Sequence, residues 1–444
     1  MKFSLNIHYA DGIAFDQILK SENENTLVFI QEPQYKPSYD GLTDKAKDFG
    51  EWMSMTKTGD IAVFDSVSAG GKGELSTGQM GEILRKRGVK TIGGQKVADA
   101  MELDREFGLK VMEQCGIAVP PYKKFKTKEE GIKFVESTGK RYVYKPFGNI
   151  STAKTKVAGS AQEMVAYLKK SKDNVPFILQ EFVEGIELST EVIFADGNPM
   201  SSNNTIETKN FMPGFDGSAG CGNKTGCMSS VVWSHKDLNN KAVKEGIGKV
   251  FAFMKQVKYS GFLDLNSIID SKTGKIWGIE WTCRCGYSGI YAYYMLFREK
   301  LSEVFKWIAS GKEGGEIVTD KDNYGLAVRC SIPPYPLEYD DTNAQYVKPL
   351  LKMSAGTSIK IYNDKFKFFF LDVKLQDGEL VSAGADGVVF ELGHKAKDLM
   401  KAQKEINECL KDDCDIDGLQ WRTDMFERAS REIPKLKALG FYTI

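Results

Sequence analysis

The chain has 444 residues, of which 42% are hydrophobic and 27% are charged. This composition is typical of water-soluble globular proteins rather than disordered or fibrous ones. The 60 Lys and Arg residues balance the 60 Asp and Glu residues, so no net field draws the protein towards nucleic acid or an anionic membrane. No apolar segment approaches a membrane span of about 20 residues, and the first residues lack the apolar core of a secretory signal. We therefore expect a cytoplasmic protein with small-molecule substrates and no nucleic-acid or membrane partner, for which a monomer is plausible.

Cysteine and histidine usage narrows the chemistry. The eight cysteines contain no CxxC pair, which favours reduced thiols over a disulfide scaffold or a zinc site. Only three histidines are present, and their wide spacing disfavours both a histidine-rich metal centre and a histidine-dependent triad.

The order of predicted elements indicates a multidomain chain that combines α/β and α+β parts. Apolar strands alternate with helix-like stretches in the N-terminal part, which is the pattern of a mostly parallel sheet. Two candidate capping boxes, Thr127 with Glu130 and Ser160 with Glu163, would each open a short helix between later strands. The polar stretch 311–323 resembles a linker. We predict an N-terminal α/β domain at 1–103, a middle domain at 104–312 with a small subdomain at about 120–187, and a C-terminal α+β domain at 324–444.

One lysine lies inside an apolar strand. The segment Tyr142–Pro146, YVYKP, places Lys145 between aromatic and apolar neighbours. A buried ammonium without a partner is costly, so this position indicates an anionic ligand. The alternative is a lysine that reaches the edge of the strand.

An acidic segment follows another apolar strand, in FILQEFVEGIE at 177–187. Such an extended hinge can present backbone N–H and C=O groups to an adenine edge, while an ionised Glu187 pairs with ribose hydroxyls. An ordinary strand with a solvated acidic turn is the alternative.

A third strand carries three polar groups on one face. In KIWGIEWTCRCG, at 275–286, a period of two places Glu280, Thr282 and Arg284 on one side and Trp281 on the other. Asn266 in the preceding strand is a plausible oxygen neighbour. A carboxylate with neutral oxygens, completed by phosphate and water, suits Mg²⁺. A solvated strand face with an ion pair is the alternative.

The order of these three motifs resembles the ATP-grasp superfamily, and within it the phosphoribosylamine–glycine ligases. The resemblance runs from about residue 93 to the C-terminus. It rests on five segments. Gly93–Lys96 with Met101 and Glu102 is similar to the family's GPSK...LE turn, 178–187 to its IEEFLxGEE hinge and 222–228 to its GPNTGGM loop. Residues 279–286 are similar to its IEFNCRFG strand, and Trp421 to Asp424 with Arg428 is similar to its closing YRKDIGxRA.

The resemblance implies an ATP-grasp fold with an N-terminal pre-ATP-grasp domain, and ATP-dependent ligation of an acid to an amine through an acyl phosphate. It also implies ATP and Mg²⁺ (or Mn²⁺) as cofactors, and glycine with phosphoribosylamine, in purine biosynthesis, as the leading substrate pair. The implied catalytic residues are Arg284 and Lys154. The other implied site residues are Arg105, Lys145, Gln180, Glu181, Phe182, Val183 and Glu187 for the nucleotide, Glu280, Thr282 and Asn266 for the metal, and Asn223, Thr225 and Gly226 for the substrate.

Several positions depart from the family pattern. The glycine-rich GGGGREHA loop that holds the sugar phosphate is replaced by Tyr9-Ala10-Asp11-Gly12, and Thr282 replaces the metal-binding Asn. The GDPE after the arginine is Gly286-Tyr287-Ser288-Gly289, and the lid at 148–154 has lost glycines. Two alternatives therefore stay open: a ligase of this fold that acts on a different amine, and a nucleotide-binding protein without catalysis.

Overall fold

The computed structural model describes residues 1–71, 73–146, 155–171, 175–214, 220–311, 317–337 and 344–442. Lys154, together with the rest of the lid expected at 148–154, lies outside the described residues. None of the helices in these ranges combines the length and apolar character needed to cross a bilayer.

A four-stranded parallel sheet forms the N-terminal part, in the order β2-β1-β3-β4. The two central strands are buried along their whole length, and the sequence of the strand at Ile61–Phe64, IAVF, is an unbroken apolar run as expected for a buried strand. This alternation of strands and helices confirms the predicted α/β class. The elements are β1 Phe3–Ile7, α1 Ala14–Ser21, β2 Thr26–Ile30, α2 Phe49–Met55, β3 Ile61–Phe64, α3 Thr77–Lys86, β4 Lys90–Ile92 and α4 Lys96–Leu103.

A smaller four-stranded sheet follows, in the order β5-β8-β6-β7. The hydroxyls of Thr127 and Ser160 accept the N–H groups of Glu130 and Glu163, as predicted. The carboxylates of Glu130 and Glu163 accept from the backbone N–H of the residue before each cap rather than from that of the cap itself. Each predicted capping box is therefore only half formed. The elements are α5 Arg105–Gln114, β5 Tyr122–Phe125, α6 Lys128–Thr138, β6 Tyr142–Pro146, β7 Lys156–Val157, α7 Ala161–Lys170 and β8 Phe177–Glu181.

The largest sheet has eight strands, in the order β13-β12-β9-β10-β11-β14-β19-β16. The sheet includes strands from before and after residue 312. The domain boundary predicted at this residue therefore does not coincide with the edge of a sheet. The remaining strands are β9 Gly185–Ala195, β10 Asn198–Met212, β11 Cys221–Ser234, β12 Gly261–Asp270, β13 Ile276–Thr282, β14 Tyr324–Ser331, β15 Lys360–Ile361, β16 Lys367–Phe370, β17 Val373–Gln376, β18 Glu379–Ser382, β19 Val388–Ala396 and β20 Cys414–Asp415.

Helices cover and flank this sheet. The apolar residues of 301–308 and 399–410 recur with a helical period, and in the structure both apolar helix faces are buried against the core. These helices are α8 Lys241–Glu245, α9 Phe251–Gln256, α10 Tyr287–Tyr294, α11 Leu301–Ser310, α12 Ala344–Leu351, α13 Leu399–Asp412 and α14 Glu427–Ala438, with short 3₁₀ turns at Pro33–Tyr35, Ile247–Val250 and Lys352–Ser354.

The structure differs from the sequence prediction at three places. The apolar segment 367–375 has the pattern of one strand but forms two, β16 and β17. The segment 222–228, expected to be a loop, lies in β11. The sequence analysis also missed β10, whose long antiparallel pairing with β11 and β9 builds the centre of the sheet.

One face of this sheet is polar where β9, β12 and β13 meet. Asn266 lies opposite Ser189 on one side and opposite Glu280 on the other. Directly paired residues project from the same face of an antiparallel sheet. Strand pairing therefore places the candidate metal ligands together.

Candidate active site

A cleft of about 260 Å³ lies between α4, α5 and β13. Its lining includes Glu102, Arg105, Glu280, Thr282 and Arg284. Arg105 is the first residue of α5, and its buried Nη1 has no hydrogen-bond partner. An unsatisfied buried guanidinium nitrogen is costly unless a ligand accepts from it. The cleft therefore suits an anion.

Lys145 is buried in β6, with 4% of its surface exposed, as its apolar neighbours predicted. Its Nζ donates to the backbone carbonyl of Ile279 at 3.3 Å, so the ammonium lies beside β13. Burial lowers the pKa of Lys145 to about 8. The positive charge of Arg105 also lowers this pKa, and the Glu280 carboxylate partly opposes the decrease. A phosphate bound here would stabilise the charged forms of both Lys145 and Arg105.

Arg284 is held at the end of β13. Its Nε donates to Glu102 Oε1 at 2.9 Å, and Glu102 Oε2 accepts the backbone N–H of Cys283 at 2.6 Å. The guanidinium lies 4.5 Å from the ring centre of Tyr287. Burial alone would lower the pKa of Arg284, but Glu102 and its other partners outweigh burial and raise it. Arg284 is therefore a fixed cation.

Three oxygen-bearing side chains, those of Glu280, Thr282 and Asn266, form the candidate metal site. Asn266 Oδ1 accepts from Ser189 Oγ at 2.9 Å, and Asn266 Nδ2 donates to Thr282 Oγ1 at 3.0 Å. Glu280 is exposed and makes no hydrogen bond to another residue in the part of the chain that the structure describes. No group of three His, Cys, Asp or Glu side chains suited to a metal occurs among the described residues. One free carboxylate with two neutral oxygens fits Mg²⁺ that takes its other ligands from phosphate and water.

Fewer backbone N–H groups are free to bind a ligand in the hinge after β8 than its sequence indicated. The N–H of Glu181 donates to Pro121 and that of Phe182 to Arg141, while Gln180 is buried and points its amide towards Pro120. Within the described ranges, Val183 is the hinge residue whose N–H has no acceptor. An adenine edge would therefore meet Val183 N–H rather than the amides of all four residues.

Glu187 lies in β9, where Lys209 Nζ contacts its Oε1 at 2.8 Å and Arg428 Nη1 lies 3.9 Å from its Oε2. Burial would raise the pKa of Glu187, but Lys209 and Arg428 outweigh it and lower the pKa to about 2. The carboxylate is therefore ionised and keeps lone pairs for hydroxyl donors. Lys209 also lies 3.3 Å from Glu207.

The predicted substrate residues lie away from the 260 Å³ cleft, near the start of β11. Asn223 is exposed, and Thr225 Oγ1 donates to the carbonyl of Lys209 at 2.9 Å. A Cβ atom on Gly226 would come within 3.0 Å of the Tyr287 ring. The structure thus places Gly226 against Tyr287, the first residue of α10.

Comparisons with known proteins agree with this arrangement. The sequence profile of the phosphoribosylglycinamide synthetase ATP-grasp (A) domain matches residues 103–289, which include ten of the twelve residues that line the cleft. The phosphoribosylamine–glycine ligase of Ralstonia nicotianae is 24% identical over 361 residues, covering 79% of this chain and 81% of the relative. Residues 103–289 thus match an ATP-grasp domain, and most of the chain is similar to phosphoribosylamine–glycine ligases.

Solved structures of other ATP-grasp proteins share the fold. The phosphoribosylamine–glycine ligase of Thermotoga maritima superposes with a TM-score of 0.67 at 16% identity, covering 96% of this chain and 100% of the other. The biotin carboxylase domain of Hydrogenobacter thermophilus 2-oxoglutarate carboxylase, solved with MgADP and bicarbonate, gives a TM-score of 0.60 at 13% identity, covering 94% and 91%. The predicted ATP-grasp fold is confirmed.

This ATP-grasp chain also contains site residues that sequence reasoning missed. Lys209 is one; the segment 203–209, NNTIETK, is polar at six of its seven positions and has no alternating pattern that would have indicated a strand. A second group surrounds the segment 8–12, which we call the β1 exit loop. Asp65, at the end of β3, accepts the backbone N–H of His8 at 2.9 Å and that of Gly12 at 3.2 Å.

Asp11 in the β1 exit loop contacts a buried arginine from the far part of the chain. Arg329 Nη2 bonds to the Asp11 carboxylate, and Arg329 Nε donates to Glu391 Oε1 at 2.8 Å. Burial would lower the pKa of Arg329, but the two carboxylates raise it. Arg329 lies 5.5 Å from the ring centre of Tyr287, so this ion-paired group borders the same site as Arg284.

Proposed function

We propose that this chain is an ATP-dependent ligase that joins a carboxylic acid to an amine through an acyl phosphate. The observation that carries the proposal is that Arg105, Glu280 and Arg284 line one cleft, with Lys145 close enough to Glu280 and Arg105 for their charges to affect its pKa. Three cations with one unpaired carboxylate match a triphosphate with its metal ion. The unpaired Glu280 also argues against a nucleotide-binding protein without catalysis, because simple nucleotide binding has little use for it.

The reaction has two steps. A carboxylate oxygen of the acid attacks the γ-phosphorus, the bond to the β-phosphate oxygen breaks, and ADP leaves. The amine nitrogen then attacks the acyl carbon, the carbon–oxygen bond to phosphate breaks, and the nitrogen gives up a proton as the amide forms. Lys145 and Arg105 neutralise phosphate oxygens, and Arg284 stabilises charge on the transferred group. No histidine is required as a general base.

We also assign the remaining nucleotide contacts to individual residues. Val183 N–H meets the adenine edge, Glu187 holds the ribose, and Lys209 adds a cation beside Glu187. Glu280, with Thr282 or Asn266, would hold Mg²⁺ or Mn²⁺, which when bound neutralises charge on the phosphates. The catalytic role of Lys154 stays a prediction.

Glycine and phosphoribosylamine are the first substrate pair to test, because the names of the curated relatives specify them. That pair would place the chain in purine biosynthesis. The experiment measures ADP release with a panel of amino acids and amines, each omitted in turn. ADP release that requires both an acid and an amine supports the proposal, and release that needs neither contradicts it.

A second candidate is the same reaction with a different amine. It is favoured by the β1 exit loop, where Asp65 occupies backbone N–H groups that a sugar phosphate would use. The same panel separates the two candidates, because it compares phosphoribosylamine with other amines under one condition.

A further inference from the structure

The side-chain amide of Asn266 lies between two polar neighbours in the large sheet. Strand pairing sets Asn266 in β12 directly opposite Ser189 in β9 and directly opposite Glu280 in β13. The Cβ atoms of directly opposite residues are about 4.5 to 5.5 Å apart, so their side chains can contact each other. Asn266 and Ser189 are both buried, with 7% and 6% of their surfaces exposed. The direction of this buried amide therefore decides what Glu280 meets on its β12 side.

The Asn266 amide is fixed at both ends. Ser189 Oγ donates to Asn266 Oδ1 at 2.9 Å, and Asn266 Nδ2 donates to Thr282 Oγ1 at 3.0 Å. The amide thus directs its oxygen to Ser189 and its nitrogen to Thr282. Magnesium binds the oxygen of an asparagine side chain and not its nitrogen. In this orientation Asn266 orients a candidate ligand but does not present its own oxygen to an ion.

An amide nitrogen next to Glu280 is a potential competitor of the metal ion. A carboxylate accepts an N–H group more strongly than a neutral hydroxyl does, because the bond is charge-assisted. An Asn266 amide that was free to rotate would therefore turn its nitrogen from Thr282 to the Glu280 carboxylate. That bond would occupy lone pairs that a cation needs. Within the described ranges Glu280 makes no hydrogen bond, which agrees with an amide that is held away from it.

We infer that Ser189 is a positioning residue for the metal ion: its hydroxyl holds the Asn266 amide towards Thr282 and so keeps Glu280 free. The inference rests on the proposed function, because Glu280 holds an ion only if the reaction uses a metal–nucleotide complex. Substitution of residues that orient metal ligands commonly lowers metal affinity by about 10- to 100-fold.

The experiment measures metal-dependent nucleotide binding without turnover. A non-hydrolysable ATP analogue is titrated by calorimetry in excess Mg²⁺ and in EDTA, and the ratio of the two Kd values gives the contribution of the metal. We expect Ser189→Ala to reduce this ratio by about 10-fold or more while the Kd in EDTA stays unchanged. Ser189→Thr keeps the hydroxyl and should restore the ratio to within about threefold of the wild type.

A double-mutant cycle tests whether Ser189 acts through Asn266. Asn266→Ala removes the competing amide, so it should retain more of the ratio than Ser189→Ala does. Adding Ser189→Ala to Asn266→Ala should change nothing further, since the two residues act as a unit. Ser267→Ala is the matched control, because it removes another buried serine hydrogen bond, to the Leu188 carbonyl, from the residue after Asn266 in β12. It should keep the wild-type ratio.

Three results would overturn the inference. The first is an unchanged ratio in Ser189→Ala. The second is an equal loss in Ser189→Ala and Ser267→Ala that follows their melting temperatures. The third is a ratio in Asn266→Ala as low as that in Ser189→Ala, which is the result expected if Asn266 is itself a ligand. If Ser189→Ala does not fold, Ser189→Cys, which replaces the hydroxyl by a weaker donor, takes its place.

Failure of the ligase proposal looks different. Hydroxylamine traps acyl phosphates as hydroxamates, so wild type with ATP and each amino acid should yield a hydroxamate without any amine. No hydroxamate with any acid would refute the ligase reaction. The titration of the ATP analogue needs no turnover, so it separately supports or refutes the role of Ser189.

Discussion

Arg284 and Glu102 form a buried ion pair that joins the end of β13 to α4. Arg284 Nε lies 2.9 Å from Glu102 Oε1, and both side chains are 14% exposed. The second Glu102 oxygen accepts the N–H of Cys283, next to Arg284 in the chain. Glu102 therefore fixes both the backbone and the charge of Arg284, which makes it a positioning residue for the proposed transfer step.

Glu102→Gln tests this role. The amide keeps the shape but weakens a charge-assisted bond of about 1.5 to 3 kcal/mol, so Arg284 should lose its fixed orientation. We expect kcat to fall by about 10- to 100-fold with little change in the KM for ATP. Steady-state kinetics at saturating acid and amine measures this split. Partial recovery in Glu102→Asp would support positioning, whereas an equal loss of melting temperature and activity would indicate a structural role.

Glu280→Gln should abolish ADP formation while ATP binding persists. The substitution removes the one unpaired carboxylate of the candidate metal site and weakens the hold on the ion that bridges the β- and γ-phosphates. ADP release and equilibrium ATP binding measure the two effects. Glu379→Gln, at an exposed position in β18, is the control. Near-normal turnover of Glu280→Gln would remove Glu280 from the metal site.

Lys145→Ala should weaken nucleotide binding itself. It deletes a charge-assisted contact of about 1.5 to 3 kcal/mol, which corresponds to roughly 10- to 100-fold in Kd. Lys133→Ala, at an exposed position on α6, controls for charge and expression. An unchanged Kd in Lys145→Ala would show that this buried lysine has only a structural role.

ATP affinity should fall as the pH rises through about 8. The pKa of Lys145 in the free protein is lowered to about 8, and bound phosphate should raise it, so nucleotide binding takes up a proton above that pH. The loss should approach tenfold per pH unit until the pKa of the bound state is reached. Measuring Kd for ATP between about pH 7 and about pH 9.5 checks this, with Lys145→Ala expected to lack the dependence. A flat wild-type profile would contradict it.

The sequence predicted the parts of the site that depend on local periodicity. The apolar neighbours of Lys145 indicated its burial, and the period of two around Glu280 gave the correct face relative to Trp281, which is 2% exposed. Both are properties of single strands. The fold class followed from the order of elements and from the family resemblance.

Contacts between distant segments could not be predicted in the same way. Lys209 meets Glu187 because β10 pairs with β9, and the sequence analysis missed β10. The Asp65 carboxylate reaches Gly12, and Arg329 reaches Asp11, across many intervening residues. The local sequence around these residues does not indicate which residue each one contacts, because the order of strands in the sheet and the packing of the elements decide which segments meet.

Thr282 offers the sharpest test of the metal site. Its Oγ1 accepts from Asn266 Nδ2 at 3.0 Å, so it retains one lone pair for an ion. If Thr282 binds Mg²⁺, Thr282→Asn should preserve or raise activity and lower the Mg²⁺ requirement, because the longer side chain carries a better oxygen donor. If Thr282 only packs, the larger side chain should cost about 1 to 3 kcal/mol of stability with no change in metal dependence.

A Mg²⁺ titration of ADP release in the two proteins, with thermal unfolding in parallel, separates these outcomes. Thr273→Asn, in the exposed turn before β13, controls for the substitution itself and should leave the Mg²⁺ requirement unchanged. Equal half-saturation in the wild type and in Thr282→Asn would rule out Thr282 as a ligand. Glu280 would then be the principal protein ligand, and Asn266, which is 7% exposed and already bonded to Ser189, would be the next residue to substitute.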